Sequence, residues 1–227
     1  MESTSHVADS TPERARWSAG RTLEWLRLAD IATFDGSWTL ARLAREFPTY
    51  SVSDIGHLFF VYDFKFSGEH RVRLVYDGSR QSPNTFTETY APTVRAESVR
   101  FFHLYLVEWS LHLGQYDVPQ AFLKSEFDCD LFVYPPKGFS DRPGQILKMQ
   151  RMLYGAKQSA CLWFRKLNVF LRSLGFVTGP LDPCFFKRWD PVSSTFALII
   201  LHTDDLRVAA SAIVLQEIHN ALSLIHI

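Results

Sequence analysis

Three aspartates in this chain could form a site for divalent metal ions. Asp204 and Asp205 follow an apolar run, residues 196–201, and a second short apolar stretch comes after them. This pattern predicts a β-hairpin with two acids at its tip. Asp117 ends another strand-like run far upstream. Three carboxylates on strand ends can hold two divalent cations about 4 Å apart, and a buried acid cluster is costly without such cations.

The elements that must position these acids follow from local sequence patterns. Two turn signals, Ser67-Gly68 and Pro135-Pro136, interrupt strand-like segments. Ser159 is a predicted N-cap, and Gly175 can end the helix that follows it. The predicted strands are residues 59–66, 71–76, 131–134, the segment ending at Asp117 and the hairpin after residue 195; predicted helices lie within 21–45, 95–112, 159–175 and 212–222. This order predicts an α+β fold, in which an antiparallel sheet is backed by helices.

The composition allows a large core but gives no overall charge signal. Of the 227 residues, 47% are hydrophobic, including 19 Phe and 6 Trp. A chain of this length can form one large domain or two small ones. Lys+Arg and Asp+Glu both number 24, and this balance alone argues mildly against a nucleic-acid binder. Residues 142–181 contain no acid, however, and their basic side chains are Arg142, Lys148, Arg151, Lys157, Arg165, Lys166 and Arg172. Such a stripe suits contact with phosphates, and a solvated helix face is the alternative.

Cysteine usage and hydropathy predict an intracellular protein without a membrane partner. Cys129, Cys161 and Cys184 are far apart and form no C-x-x-C pair, so we expect reduced thiols in the cytosol or nucleus. The polar start shows no secretory signal, and the longest apolar run is too short to span a membrane. Residues 1–35 are predicted to be a polar, disordered N-terminal extension.

Five blocks of the sequence resemble the reverse transcriptase of copia-type LTR retrotransposons, in that family's order. They are RVRLVYDGSRQ, ETYAPTVRAESVR, YDVPQAFLKSE, LYGAKQSACLWF and HTDD, the last standing where the family has Tyr-Val-Asp-Asp. Each block alone is weak evidence, but five in order leave little room for chance. The resemblance implies the fingers and palm of a right-hand polymerase over residues 36–227, truncated after the catalytic hairpin and with the thumb missing.

The resemblance also implies nucleotidyl transfer by two metal ions. Asp117 and Asp204 match the family's principal ligands for two Mg²⁺ or Mn²⁺ ions, and Asp205 matches the third acid. The backbone carbonyl of Val118 could ligate as well. Phe122 matches the aromatic residue that packs under the incoming sugar and excludes a 2′-hydroxyl. The alternative for Phe122 is one more core phenylalanine.

Four residues are assigned to the nucleotide through the same resemblance. Lys65 and Arg73, with Arg71 as an alternative, resemble the cations that clamp the triphosphate of a deoxynucleotide. Exposed hairpin cations often have no such role, which is the alternative interpretation. Gln158 could hydrogen-bond the nucleotide or the template, and Phe122 completes the set.

Contacts with an RNA or DNA template and its primer are assigned to a second group. Tyr154, Gly155 and Lys157 match the family's Leu-Tyr-Gly-Leu-Lys-Gln block, and Arg165 follows in the basic stretch. Gly155 would allow a close backbone approach at the nascent base pair. An ordinary helix start is the alternative for this block.

Three positions depart from the family's pattern and leave alternatives open. His202 replaces a tyrosine, Arg207 replaces an aliphatic residue and would be costly if buried, and Pro119 falls where no proline is expected. One hypothesis is a retrotransposon reverse transcriptase fragment that keeps its metal site, in the cytoplasm, the nucleus or a virus-like particle. Another is an inactive remnant or a non-catalytic nucleic-acid-binding protein. A metal-dependent nuclease is a third, and the motif order argues against it.

Overall fold

The computed structural model describes residues 13–224, and the chain divides into two compact units. Unit 1 comprises Met1–Thr89 and Ser125–Ser159, and unit 2 comprises Tyr90–Lys124 and Ala160–Ile227. Each unit combines helices with a five-stranded sheet. The predicted α+β class is therefore confirmed, whereas the assignment of fingers and palm stays a prediction.

Five helices and ten strands make up the regular structure of the described residues. In chain order they are α1 (Arg14–Asp30), β1 (Phe34–Asp35), α2 (Leu40–Glu46), β2 (Gly56–Phe64), β3 (His70–Tyr76), α3 (Ala96–Glu108), β4 (His112–Asp117), β5 (Phe132–Tyr134), β6 (Leu147–Met149), α4 (Ser159–Ser173), β7 (Val177–Thr178), β8 (Phe185–Asp190), β9 (Thr195–His202), β10 (Asp205–Ala210) and α5 (Ala212–Leu224). The sheet of unit 1 has the order β1-β6-β5-β2-β3, and that of unit 2 the order β4-β10-β9-β8-β7.

Helix α1 agrees over residues 21–30 with the helix predicted within 21–45, and it corrects the prediction that this part of the chain belongs to a disordered extension. Trp17 on this helix is buried and packs edge-on against Tyr62, with 5.4 Å between the ring centroids. Most of the helix is polar, so its composition gave no sign that tertiary packing would order it. Residues 1–12, the remainder of that prediction's polar start, lie outside the described residues.

Strands β2 and β3 form the predicted hairpin of unit 1. Gly68 lies in the turn with a φ of +82°, a conformation that favours glycine. Helix α1 covers one face of the hairpin, where Gly20 lets it approach Val72: a Cβ at Gly20 would meet that side chain at 2.7 Å. Because side chains alternate along a strand, Arg71 and Arg73 lie on the opposite face.

The sheet of unit 2 is antiparallel throughout and is covered on both faces. Ile199 and Leu201 of β9 join the core that contains the buried side chains of α4 and α5. Leu198 and Ile200 point the other way and pack with Phe102 of α3. This predicted antiparallel, helix-backed sheet is confirmed, and its central strand is buried on both sides because both helical layers contribute core residues.

One predicted helix is confirmed within its range, and the start of another differs from its prediction. The helix predicted within residues 95–112 ends at Glu108, and Ser110 follows with a φ of +48° before β4 begins. Helix α4 begins at Ser159 itself, and the Ser159 hydroxyl donates to the Leu153 carbonyl, 2.6 Å away, rather than capping the helix. Gly175 follows α4 with a φ of +84°, as expected of a residue that ends a helix.

The structure bears on two further predictions, those for the cysteine thiols and for membrane-spanning helices. No disulfide joins the cysteines within residues 13–224, and the reduced state inferred from their spacing stays a prediction. Burial raises the pKa of the Cys184 thiol to about 12, which makes it a poor nucleophile. Between residues 13 and 224, no helix has the length and apolar character needed to cross a bilayer.

Candidate active site

The ladder between β4 and β10 brings two of the three predicted acids together. Asp205 lies directly opposite Asp117 in this ladder, and it lies opposite His202 across the β9–β10 hairpin. Directly opposed residues of an antiparallel pair share a face of the sheet, with Cβ atoms about 4.5–5.5 Å apart. Asp117, Asp205 and His202 therefore share the face on which Ile200 packs with α3.

A two-residue loop, Thr203 and Asp204, joins the two strands of the hairpin. Thr203 has a φ of +60°, which a β-branched residue rarely adopts and which costs about 1–3 kcal/mol. Two hydrogen bonds hold this loop: Trp163 Nε1 donates to the Thr203 carbonyl at 3.0 Å, and the Val118 N–H donates to the Asp204 carbonyl at 3.4 Å. Trp163, which is buried in the core of unit 2, thus also holds the loop that carries Asp204, a contact that no sequence signal indicated.

The third acid, Asp204, is partly buried beside the other two. Burial raises the pKa of Asp204, and the neighbouring charges of Asp117 and Asp205 raise it further, whereas His202 acts in the opposite direction. A raised pKa means that the folded state disfavours the ionised carboxylate. A bound cation would relieve that penalty.

The donor atoms at this site fit a divalent cation. Carboxylate oxygens are the ligands that Mg²⁺ prefers, and this ion commonly binds through one or two carboxylates together with waters and substrate phosphates. Asp117 with Asp204 or Asp205 meets that need. Within residues 13–224 no three His, Cys, Asp or Glu side chains are arranged as a ready metal cage. The predicted ligation by the Val118 carbonyl stays a prediction.

The segment after Asp117 turns sharply and accommodates the unexpected proline. Strand β4 ends at Asp117, so Pro119 lies outside the ladder, is exposed and removes no strand hydrogen bond. Gln120 has a φ of +56° and precedes a 3₁₀ turn. Phe122 in that turn is partly buried against the core of unit 2. Its predicted role against the sugar stays a prediction beside the core alternative.

The predicted triphosphate cations lie on the β2–β3 hairpin of unit 1. Lys65 forms an ion pair with Glu69 at 2.7 Å, and both side chains are exposed. Such a pair contributes about 0–1 kcal/mol, so an anionic ligand could replace the glutamate. The Arg73 guanidinium lies 5.9 Å from the centre of the Tyr154 ring. Arg71, the alternative, is already engaged in an ion pair across the ladder.

Gln158 is not placed where it could contact a nucleotide or template, which corrects its predicted role. The residue is 0% exposed. Its Oε1 accepts from Gln81 Nε2 at 2.8 Å, and its own Nε2 donates to the Thr85 carbonyl at 3.0 Å. The Gln81 amide oxygen also accepts from the Lys157 N–H at 2.9 Å. Gln81 and Gln158 therefore form a buried amide network inside unit 1, and sequence reasoning missed Gln81 altogether.

Gly155 has the close backbone contact expected of it, but the partner is this chain. Gly155 has a φ of +93°, and a Cβ there would lie 2.1 Å from the Tyr76 carbonyl oxygen. Lys157 is exposed, with its ammonium 4.9 Å from the centre of the Phe86 ring. Arg165 is exposed on α4 and has no ion-pair partner in the described part of the chain. Their contacts with template or primer stay predictions.

The acid-free basic stretch is not one free stripe. Its members are divided between the two units, and several already have internal partners. Lys148 pairs with Asp130 at 2.6 Å, Arg142 donates to a backbone carbonyl at 3.1 Å, and Arg172 donates to Asn168 at 2.6 Å. The number of basic residues in the sequence therefore overstates the cations available for phosphate.

Comparison with known proteins covers most of the chain. A family model described as reverse transcriptase (RNA-dependent DNA polymerase) matches residues 50–223. The retrovirus-related Pol polyprotein from transposon RE1 of Arabidopsis thaliana is 31% identical over 156 residues, which cover 67% of this chain and 10% of that protein. The Pol polyprotein from transposon TNT 1-94 of Nicotiana tabacum is 29% identical over 143 residues, covering 61% and 11%.

A more distant relative gives a similar result. The transposon Ty1-ER2 Gag-Pol polyprotein of Saccharomyces cerevisiae is 26% identical over 119 residues, which are 49% of this chain and 6% of that protein. The chain thus spans about a tenth or less of the length of these curated relatives.

Proposed function

Because the chain belongs to the reverse transcriptase (RNA-dependent DNA polymerase) family, we propose that unit 2 carries a nucleotidyl-transfer site at its three aspartates. The resemblance to copia-type retrotransposon reverse transcriptases is confirmed. The observation that carries the proposal is the register that sets Asp205 opposite Asp117 beside the loop containing Asp204. In this proposal the sheet of unit 2 is the polymerase palm.

Asp117 and Asp204 would hold two Mg²⁺ or Mn²⁺ ions, with Asp205 as the third acid. When bound, such ions lower the pKa of a primer 3′-hydroxyl and stabilise the leaving pyrophosphate. The chain's own contribution is to hold these carboxylates in place. Trp163 and the Val118 N–H fix the loop, so the acids do not have to be ordered when substrate arrives.

The substrates in this proposal are a primed RNA or DNA template and deoxynucleoside triphosphates. Lys65 and Arg73 would contact the triphosphate, and Tyr154, Lys157 and Arg165 the nucleic acid. The relatives are polyproteins of transposons, and we propose that this chain is the corresponding domain of a retrotransposon polyprotein, acting in the cytoplasm or nucleus.

Primer extension on poly(rA)·oligo(dT) with Mg²⁺ or Mn²⁺ tests the catalytic proposal. We expect incorporation that Asp117→Asn and Asp204→Asn each abolish, since each removes a metal ligand. Glu108→Gln is the matched control because Glu108 is an exposed acid of the same unit. Extension that survives both aspartate variants would refute the site. Binding of the primed template without any extension would instead favour the non-catalytic nucleic-acid binder.

A further inference from the structure

Two cationic side chains lie on the same face of the unit 2 sheet as the acids. Arg207 is two residues beyond Asp205 on β10, and His202 is opposite Asp205 on β9. Because side chains alternate along a strand, Asp205 and Arg207 share a face, and so does Asp117, which pairs with Asp205. Both positions were noted as departures from the family's pattern.

Arg207 is exposed rather than buried, so the expected cost of a buried charge does not arise. The neighbouring residues Leu206 and Val208 are fully buried on the opposite face. Within residues 13–224 the Arg207 guanidinium forms no ion pair. A guanidinium without an internal partner is available to an anionic ligand.

A cleft of about 230 Å³ lies at this position. Val94, Val99 and Ile200 line it with apolar surface, and the polar lining residues are His202, Asp205 and Arg207. An apolar surface beside a cation suits a sugar–phosphate unit, whose sugar can pack on the aliphatic side chains while its phosphate meets the arginine.

The spacing along β10 sets where such a phosphate would lie. Two residues of antiparallel strand span about 7 Å, so Arg207 lies within about 7 Å of Asp205 along β10. A strand whose 3′ end reaches the acids would therefore bring one of its first few phosphates within reach of Arg207.

We propose that Arg207 binds a backbone phosphate of the primer strand close to its 3′ end, among the first three linkages, with His202 beside it in the same cleft. This inference rests on the proposed function, which brings the primer 3′ end to Asp117 and Asp204. In this inference, the arginine that stands in place of an aliphatic residue adds a primer contact that the family motifs do not contain.

Neutral linkages in the primer test the contact directly. A fluorescent DNA primer on an RNA template is titrated with the full chain in Mg²⁺ without nucleoside triphosphate, so that binding occurs without chemistry. Primers carry one methylphosphonate, which removes the charge of a single phosphate, at successive linkages from the 3′ end. We expect the wild type to lose about three- to tenfold in affinity at one of the first three linkages and nothing comparable further along, as for one charge-assisted contact.

Arg207→Gln should weaken binding of the unmodified primer by a similar factor, and it should lose nothing more from the methylphosphonate at that linkage. This is the signature of a coupled pair in a double-mutant cycle. Its log–log salt slope should fall by about 0.9, and Arg207→Lys should restore that slope because the charge returns. Lys187→Gln is the control, since Lys187 is an exposed cation on β8, separated from β10 by β9.

The outcomes separate this inference from the proposed function. If the loss of affinity from Arg207→Gln simply adds to the loss from every methylphosphonate, the contact is overturned, even where primer extension depends on Asp204. If Arg207 and the primer phosphate are coupled but Asp204→Asn leaves primer extension unchanged, the contact is upheld and the catalytic site is refuted. Failure of the wild type to bind the primed template would overturn both. Circular dichroism melting of each variant verifies folding.

Discussion

Asp204→Asn should stabilise the metal-free protein at neutral pH and abolish its stabilisation by Mn²⁺. The wild type holds Asp205 directly opposite Asp117, and like charges in such a pair cost about 0.2–1 kcal/mol. Asp204 is a third charge in the same place, and burial and these neighbours raise its pKa. Removing its charge should therefore return about 0.5–1 kcal/mol, or about 1–4 °C in melting temperature for a chain of this size.

The pH dependence of this gain has a definite sign. A carboxyl group whose pKa is higher in the folded state than in the unfolded state makes the protein less stable as pH rises through the folded-state pKa. Well below the ordinary aspartate pKa of about 3.9, Asp204 is protonated in both the folded and the unfolded state. The difference between Asp204→Asn and wild type should therefore disappear in acid and grow towards neutral pH.

Differential scanning fluorimetry in EDTA and in Mn²⁺ measures both effects. A ligand that binds only the folded state at one hundred times its dissociation constant adds about 2.7 kcal/mol, so the wild type should gain about 5–10 °C. Asp204→Asn should gain almost nothing, and Glu108→Gln should respond like the wild type. Equal Mn²⁺ responses in wild type and Asp204→Asn would refute the assignment of Asp204 as a ligand. A metal-free variant no more stable than the wild type would refute the charge argument.

Three further substitutions test other parts of the structure. Gly155→Ala should lower the free energy of unfolding, measured with urea, by at least about 2 kcal/mol, because the positive φ of Gly155 and the Tyr76 carbonyl exclude a Cβ. Gly144→Ala should lower it less, because Gly144 has a φ of +67° but nothing within 4 Å of the Cβ position. Gln158→Leu should cost about 1–3 kcal/mol by leaving buried polar groups unpaired, while triphosphate affinity, measured by calorimetry, should not change. The hydrogen bond from Ser193 lowers the pKa of Asp190, so Asp190→Asn should destabilise the protein at neutral pH. In an acid titration followed by circular dichroism, the variant should also lose less stability than the wild type as pH falls below about 4.

The elements near the acids were predictable because their signals are local. The apolar run, the two adjacent acids and the second apolar stretch predict the β9–β10 hairpin, whose period and turn lie within sixteen residues, Thr195–Ala210. Its pairing with β4 is different. Asp117 lies far upstream, so the sequence indicated only that it ends a strand as the hairpin acids do, and no local signal fixes the register that sets it opposite Asp205.

Long-range contacts explain the predictions that were wrong. The first part of helix α1, residues 14–20, looked disordered because its sequence is polar, and its packing on β3, visible at Trp17 and Val72, orders it. Gln158 looked like a substrate contact because of the motif around it. Its partner Gln81 is 77 residues away, and no pattern in either segment indicates that the two amides meet.

The two faces of β10 show why an arginine near the acids is compatible with a folded antiparallel sheet. Leu206 and Val208 on one face are 0% exposed and belong to the core with α4 and α5. Arg207 lies on the other face, where α3 packs against Leu198 and Ile200, but its own side chain is exposed beside Asp205. A charge at either core position would be buried and costly, whereas at Arg207 it costs little. The departures from the family's pattern on this hairpin, His202 and Arg207, therefore fall on exposed positions, where a change alters what the surface can bind and leaves the core intact.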